Sequence, residues 1–114
     1  MSKILQSEKL ERLRLTLTDW IQAANARQWG PPIVEPVQGD GDFHALHKVG
    51  CKSSGGRDQL TILYGQDPDD LFGIDFLAED ARSIRFMPDC ITFKMDGEPG
   101  CIYRTPGHVP LHYY

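Results

Sequence analysis

Residues 90–104 read CITFKMDGEPGCIYR, and this stretch decides the fold class. Ile91, Phe93 and Met95 alternate with Cys90, Thr92 and Lys94, the period-2 pattern of a strand that buries one face. Asp96-Gly97-Glu98-Pro99-Gly100 supplies a turn, because Gly and Asp tolerate the left-handed backbone that a tight reversal requires. Cys101-Ile102-Tyr103-Arg104 then returns as a partner strand.

The same rhythm extends toward the N-terminus. Ile84 and Phe86 mark a strand stopped by Pro88-Asp89. Residues 71–78, LFGIDFLA, are apolar on both parities except at Asp75, which suits a central strand; a short helix is the competing reading. Leu60, Ile62 and Tyr64 alternate after a turn at Ser53-Ser54-Gly55-Gly56. In 43–51, Phe43, Ala45, His47, Val49 and Cys51 alternate with His44, Leu46, Lys48 and Gly50. Short strands joined by turn residues predict an antiparallel meander of five or six strands over 43–105.

Residues 1–28 carry a different period. Leu10, Leu13, Leu17, Trp20, Ile21 and Ala24 recur at spacings of three and four, the apolar stripe of a helix. Ser7 or Ser2 would cap its start, and Gly30-Pro31-Pro32 ends it. Residues 29–42, which contain GPPIVEPVQGDGD at 30–42, are expected to be a Pro/Gly-rich connector. The tail 106–114, with Pro106 and Pro110, is expected to be irregular. The expected architecture is a single α+β domain, with an N-terminal amphipathic helix packed on the sheet.

Composition narrows the function classes. The chain has 114 residues, 40% hydrophobic and 25% charged, near globular averages, so one ordered domain is expected. The net charge of −4 argues against sequence-independent nucleic-acid binding, which needs a basic surface. No apolar run reaches transmembrane length, and the N-terminus mixes charges of both signs, unlike a secretory signal. With three cysteines, an odd number, and no secretory signal, reduced thiols and a cytoplasmic location are expected.

Several side chains are of types that can carry chemistry. His44, His47 and Cys51 are metal-ligand types, yet on a strand His44 points away from the other two, so no metal site is expected. Cys51, Cys90 and Cys101 lie in apolar strand contexts where burial disfavours the reactive thiolate. A Cys90–Cys101 disulfide across the hairpin would leave Cys51 odd. GDGDF lacks the GxGxxG spacing, Gly55-Gly56 lacks a following Lys-Ser/Thr, and GxSxG and HExxH are absent. Neither a catalytic centre nor a cofactor is expected.

Charge is the strongest remaining feature. Residues 67–80 hold Asp67, Asp69, Asp70, Asp75, Glu79 and Asp80 with no basic residue, while the rest of the chain is net positive. The calcium-loop pattern fails, since its sixth position is Phe72 and its twelfth Ala78. The leading expectation is a non-enzymatic binding protein, inhibitor- or immunity-like. Asp67, Asp69, Asp70 and Asp75 would dock a basic macromolecular partner, with Trp29 or Tyr103 as apolar anchor. The alternative is a small-ligand or metal-binding protein whose cavity between helix and sheet is lined by His47, Asp75 and Arg104. A homodimer covering a second sheet face is a further expectation, from Leu71, Phe72, Ile74 and Leu77 on both sides of one strand.

Overall fold

The computed structural model describes residues 5–27, 31–35, 44–54, 57–95 and 97–104. Ser7 is the residue that caps the helix. Its hydroxyl accepts from the Leu10 N–H at 3.4 Å, and its carbonyl accepts from the Glu11 N–H at 2.9 Å. Helix α1 follows as Glu8–Arg27, with Glu8 and Glu11 in a first turn where the helix dipole favours negative charge. Leu10, Leu13, Leu17, Trp20 and Ala24 are buried and Ile21 is partly buried, so the whole predicted stripe faces the core.

Among the described residues the sheet has seven antiparallel strands rather than five or six. They are β1 (Ile33–Glu35), β2 (His44–Ser54), β3 (Arg57–Tyr64), β4 (Phe72–Leu77), β5 (Arg85–Phe86), β6 (Cys90–Met95) and β7 (Glu98–Tyr103). Their spatial order is β4-β3-β2-β1-β7-β6-β5. β1 comes from the stretch read as connector and sits in the middle, pairing with β2 on one side and β7 on the other. Only three residues long and bounded by Pro32 and Pro36, it is too short to show a period. The Pro32 carbonyl still accepts from Leu46 N–H at 2.8 Å, just before the strand starts. The sheet is therefore two three-stranded meanders joined through β1.

Two further readings change. The predicted central strand 71–78 is β4, at one end of the strand order. Its apolar residues on both parities reflect exposure, with Phe72 56% and Leu77 40% exposed. In β2, the pairing shifts between Leu46 and Lys48. The extra residue reverses the alternation: Leu46 is buried before the bulge, and Val49 and Cys51 pack on the core after it. Leu46, read from its parity as facing away from Val49 and Cys51, is thus a core residue.

The sheet curls strongly. Phe76 of β4 and Phe93 of β6 meet edge to face with ring centroids 4.9 Å apart. In a flat sheet, strands that far apart in the order would be held about 24 Å from each other. A short 3-10 helix, Ala78–Ser83, carries the chain from β4 to β5 and buries Ala81. Ser83 ties it to β6: its hydroxyl donates to Lys94 O at 3.0 Å and accepts from Lys94 N–H at 3.0 Å. Helix α1 packs against β2, β3 and the 3-10 helix. It also reaches the far half, where Lys9 Nζ donates to Ile84 O at 3.2 Å and Arg12 stacks 4.1 Å over the Phe86 ring.

Two buried carboxylates fix the corner where α1 begins. Asp58 of β3 accepts from the Ser7 N–H and from the Ser53 hydroxyl at 2.7 Å. The Ser7 amide first, then Ser53, hold its carboxyl below the ordinary range. Glu11 pairs with Arg14 at 2.7 Å and accepts from Leu5 N–H at 3.3 Å.

Candidate functional site

The acidic segment is built around β4. At its N-terminal end, Gly65 has φ +153°, and a Cβ there would lie 3.3 Å from Leu71 Cδ2, so glycine suits the position. The backbone of Gly65 is held from both sides, by Ala45 O on its N–H at 3.0 Å and by His47 Nε2 on its carbonyl at 3.0 Å. In the turn that follows, Asp67 Oδ1 accepts from Asp69 N–H at 3.0 Å and Asp67 O from Asp70 N–H at 2.9 Å. This aspartate-closed turn leaves Asp67, Asp69 and Asp70 exposed.

Along β4, Asp75 is exposed and accepts from the Thr61 hydroxyl at 2.6 Å. Past its C-terminal end, Asp80 accepts from the Leu77 N–H at 2.8 Å, and Glu79 is exposed. Six residues of strand span about 20 Å, so the six carboxylates are strung along one margin of the sheet. None of them is in an ion pair among the described residues. Phe72 opens the strand as part of an aromatic group, 5.8 Å from Tyr64 and 6.1 Å from His44 between ring centroids. From the sequence, Phe72 is offered for a homodimer face and not as an anchor beside the acidic turn. Only the fold shows that its strand is an edge.

The outer face of β2 and β3 has the opposite sign. Lys48, Lys52 and Arg57 are exposed there, and Lys52 lies in register with Gln59 and then Leu77. A shallow groove of about 620 Å³ runs across this junction, with Lys52 and Arg57 on one side and Glu79 on the other.

The other predicted residues are dispersed. His47 is the bulge residue of β2, Arg104 follows β7 with its N–H on Asp89 O at 2.8 Å, and Asp75 is on the outside of β4. The three line neither of the two grooves described here. Between α1 and the concave face of the sheet lie packed apolar side chains, Leu13, Leu17, Ile62 and Phe76 among them. Tyr103 is half-buried on β7, four strands from β4, and donates to Glu35 Oε2 at 3.0 Å. Burial, with Cys101 and Glu35 beside it, holds its phenol above the ordinary range. Trp29 lies outside the described residues, as does the tail.

A second groove of about 490 Å³ lies on the outer face of the other half, lined by Glu35, Arg85, Cys90, Thr92, Cys101 and Tyr103 among others. The three cysteines are free, and burial pushes the Cys101 thiol up to about 11. Among the described residues no three His, Cys, Asp or Glu side chains converge on a metal position. No described helix is long and apolar enough to cross a membrane.

The fold and site define an α+β chain with a curled antiparallel sheet and an acidic margin. The chain matches no protein-family model, and no curated protein and no solved structure is significantly similar to it.

Proposed function

We propose that this chain is a non-enzymatic binding module that docks a basic macromolecular partner, in the manner of an inhibitor or immunity protein, along β4 and its flanking turns. The carrying observation is the row of Asp67, Asp69, Asp70, Asp75 and Glu79, without ion-pair partners among the described residues, beside the exposed Phe72 and Leu77. Unpaired carboxylates steer a basic surface and fix its register, while an aromatic at the end of the row supplies desolvated contact area. Phe72 takes the anchor role because Tyr103 is four strands away. Self-pairing along the same margin would oppose the acids of two copies, so a basic partner fits better than a homodimer.

The test is affinity capture from native lysate at several salt concentrations. It compares wild type with Asp69→Lys/Asp70→Lys and with Phe72→Ser. A partner held by wild type, released by salt and lost in both variants supports the reading. Recovery that is unchanged in the variants and insensitive to salt overturns it.

A further inference from the structure

Three sulfur-bearing side chains, Met87, Cys90 and Cys101, belong to the β5–β7 half, and Cys90 and Cys101 line the groove on its outer face. Met87 and Cys90 flank a turn over Pro88-Asp89, closed by the Met87 N–H donating to Cys90 O at 2.9 Å. The turn brings Cys90 Sγ to 3.7 Å from Met87 Sδ. Cys101 joins from the next strand. Cys90 lies opposite Tyr103, and Thr92 opposite Cys101, so the two cysteines are diagonal neighbours on one face and both line the groove. Diagonal neighbours stand farther apart than the Cβ separation of about 3.8 Å that a disulfide needs. An ion between the sulfurs removes that difficulty, because it bridges thiolates that do not touch.

We propose that Met87, Cys90 and Cys101 form a binding site for copper(I). Thiolate and thioether are soft ligands that select this ion over harder divalent metals, and three sulfurs satisfy its low coordination number. Zinc is the poorer fit, since its protein sites draw on Cys, His and carboxylates and usually take four ligands. Cys90 and Cys101 supply two such ligands, and the Glu35 carboxylate in the same groove already accepts from the Tyr103 hydroxyl.

Binding releases two protons, one from each cysteine: Cu⁺ plus two thiols and one thioether gives a complex of net charge −1. Copper enters already reduced, so no electron transfer is involved. Arg85 and Lys94 line the same groove and offset that charge. Because protons leave on binding, apparent affinity rises with pH. This site is separate from the acidic margin, and its test does not depend on the binding partner.

The experiment titrates anaerobic, fully reduced protein with Cu(I) against the chromophoric chelator bathocuproine disulfonate. Wild type is expected to draw one equivalent from the chelator. Cys90→Ser should abolish the transfer, Met87→Leu should weaken it by at least about tenfold, and Cys51→Ser should leave it intact. Met87 is 48% exposed, so its variant is expected to fold, and far-ultraviolet circular dichroism checks each protein. Copper left wholly on the chelator, or taken up equally by Cys90→Ser and Met87→Leu, overturns the assignment. So does loss of uptake in Cys51→Ser.

Discussion

The two halves of the sheet are built from the same alternating pattern and use their outer faces differently. In β2–β4 that face is exposed and charged, with Lys48, Lys52 and Arg57 on two strands and Asp75 on the third. In β5–β7 the corresponding face holds Cys101, Thr92, Cys90 and Tyr103, all buried or half-buried, around a groove. A strand's own sequence states which residues alternate. What each face meets depends on the neighbouring strands. Thr61 and Gly73 leave Asp75 in solvent, whereas Cys101 is buried in register with Glu35, which Tyr103 holds by a hydrogen bond.

The halves meet on the inside through Phe76 and Phe93, and removing that contact is the severest way to break the comparison. Phe76→Ala is expected to cost about 3–5 kcal/mol, read as a lowered urea midpoint, because Phe76 is fully buried and its ring stands against Phe93. A loss under 1 kcal/mol, on the order of a surface change, would show that the halves are not joined there.

A smaller effect is expected at the turn that starts the acidic margin. Gly65→Ala forces a Cβ into the positive-φ region and against Leu71, for a cost on the order of 1–2 kcal/mol. Equal stability of variant and wild type by chemical denaturation would show that the turn relaxes freely.

Asp58 sharpens the contrast between structural and surface carboxylates through pH. Its folded-state pKa is lowered, so its contribution is present above the unfolded value, about 3.9, and is lost as pH falls through the folded one. Urea melts from acid to neutral pH should show this loss in wild type and a flatter acid limb in Asp58→Asn. The smallest stability change belongs to Asp69→Lys/Asp70→Lys. Both sites are exposed, and the melting temperature is expected to stay close to wild type while capture of the basic partner is lost. A large drop in melting temperature would move these residues from docking to folding.

The difference between the halves also shows why charge was easy to find and hard to interpret from residues alone. The acidic segment is visible as six carboxylates without a cation, and among the described residues the fold gives none of them an ion-pair partner. Glu11 and Asp58 look like ordinary surface acids in the sequence. They are buried because Arg14, Ser7 and Ser53 converge on them, and Asp58 is separated by 51 positions from the Ser7 amide it accepts. The sulfur cluster was equally hidden. Cys90 and Cys101 are legible as hairpin neighbours, but Met87 reaches Cys90 only through the geometry of the turn.

The helix stripe, the strand period and the α+β class follow from the sequence by itself, because each is a local repeat that must put apolar side chains on one face. Tertiary structure alone decided that Ile33–Glu35 is the central strand, that β4 is an edge, and that the bulge at His47 turns Leu46 inward. Each of these is set by which backbone hydrogen-bonds to which. That pairing is a property of residues distant in the chain, and no local pattern encodes it.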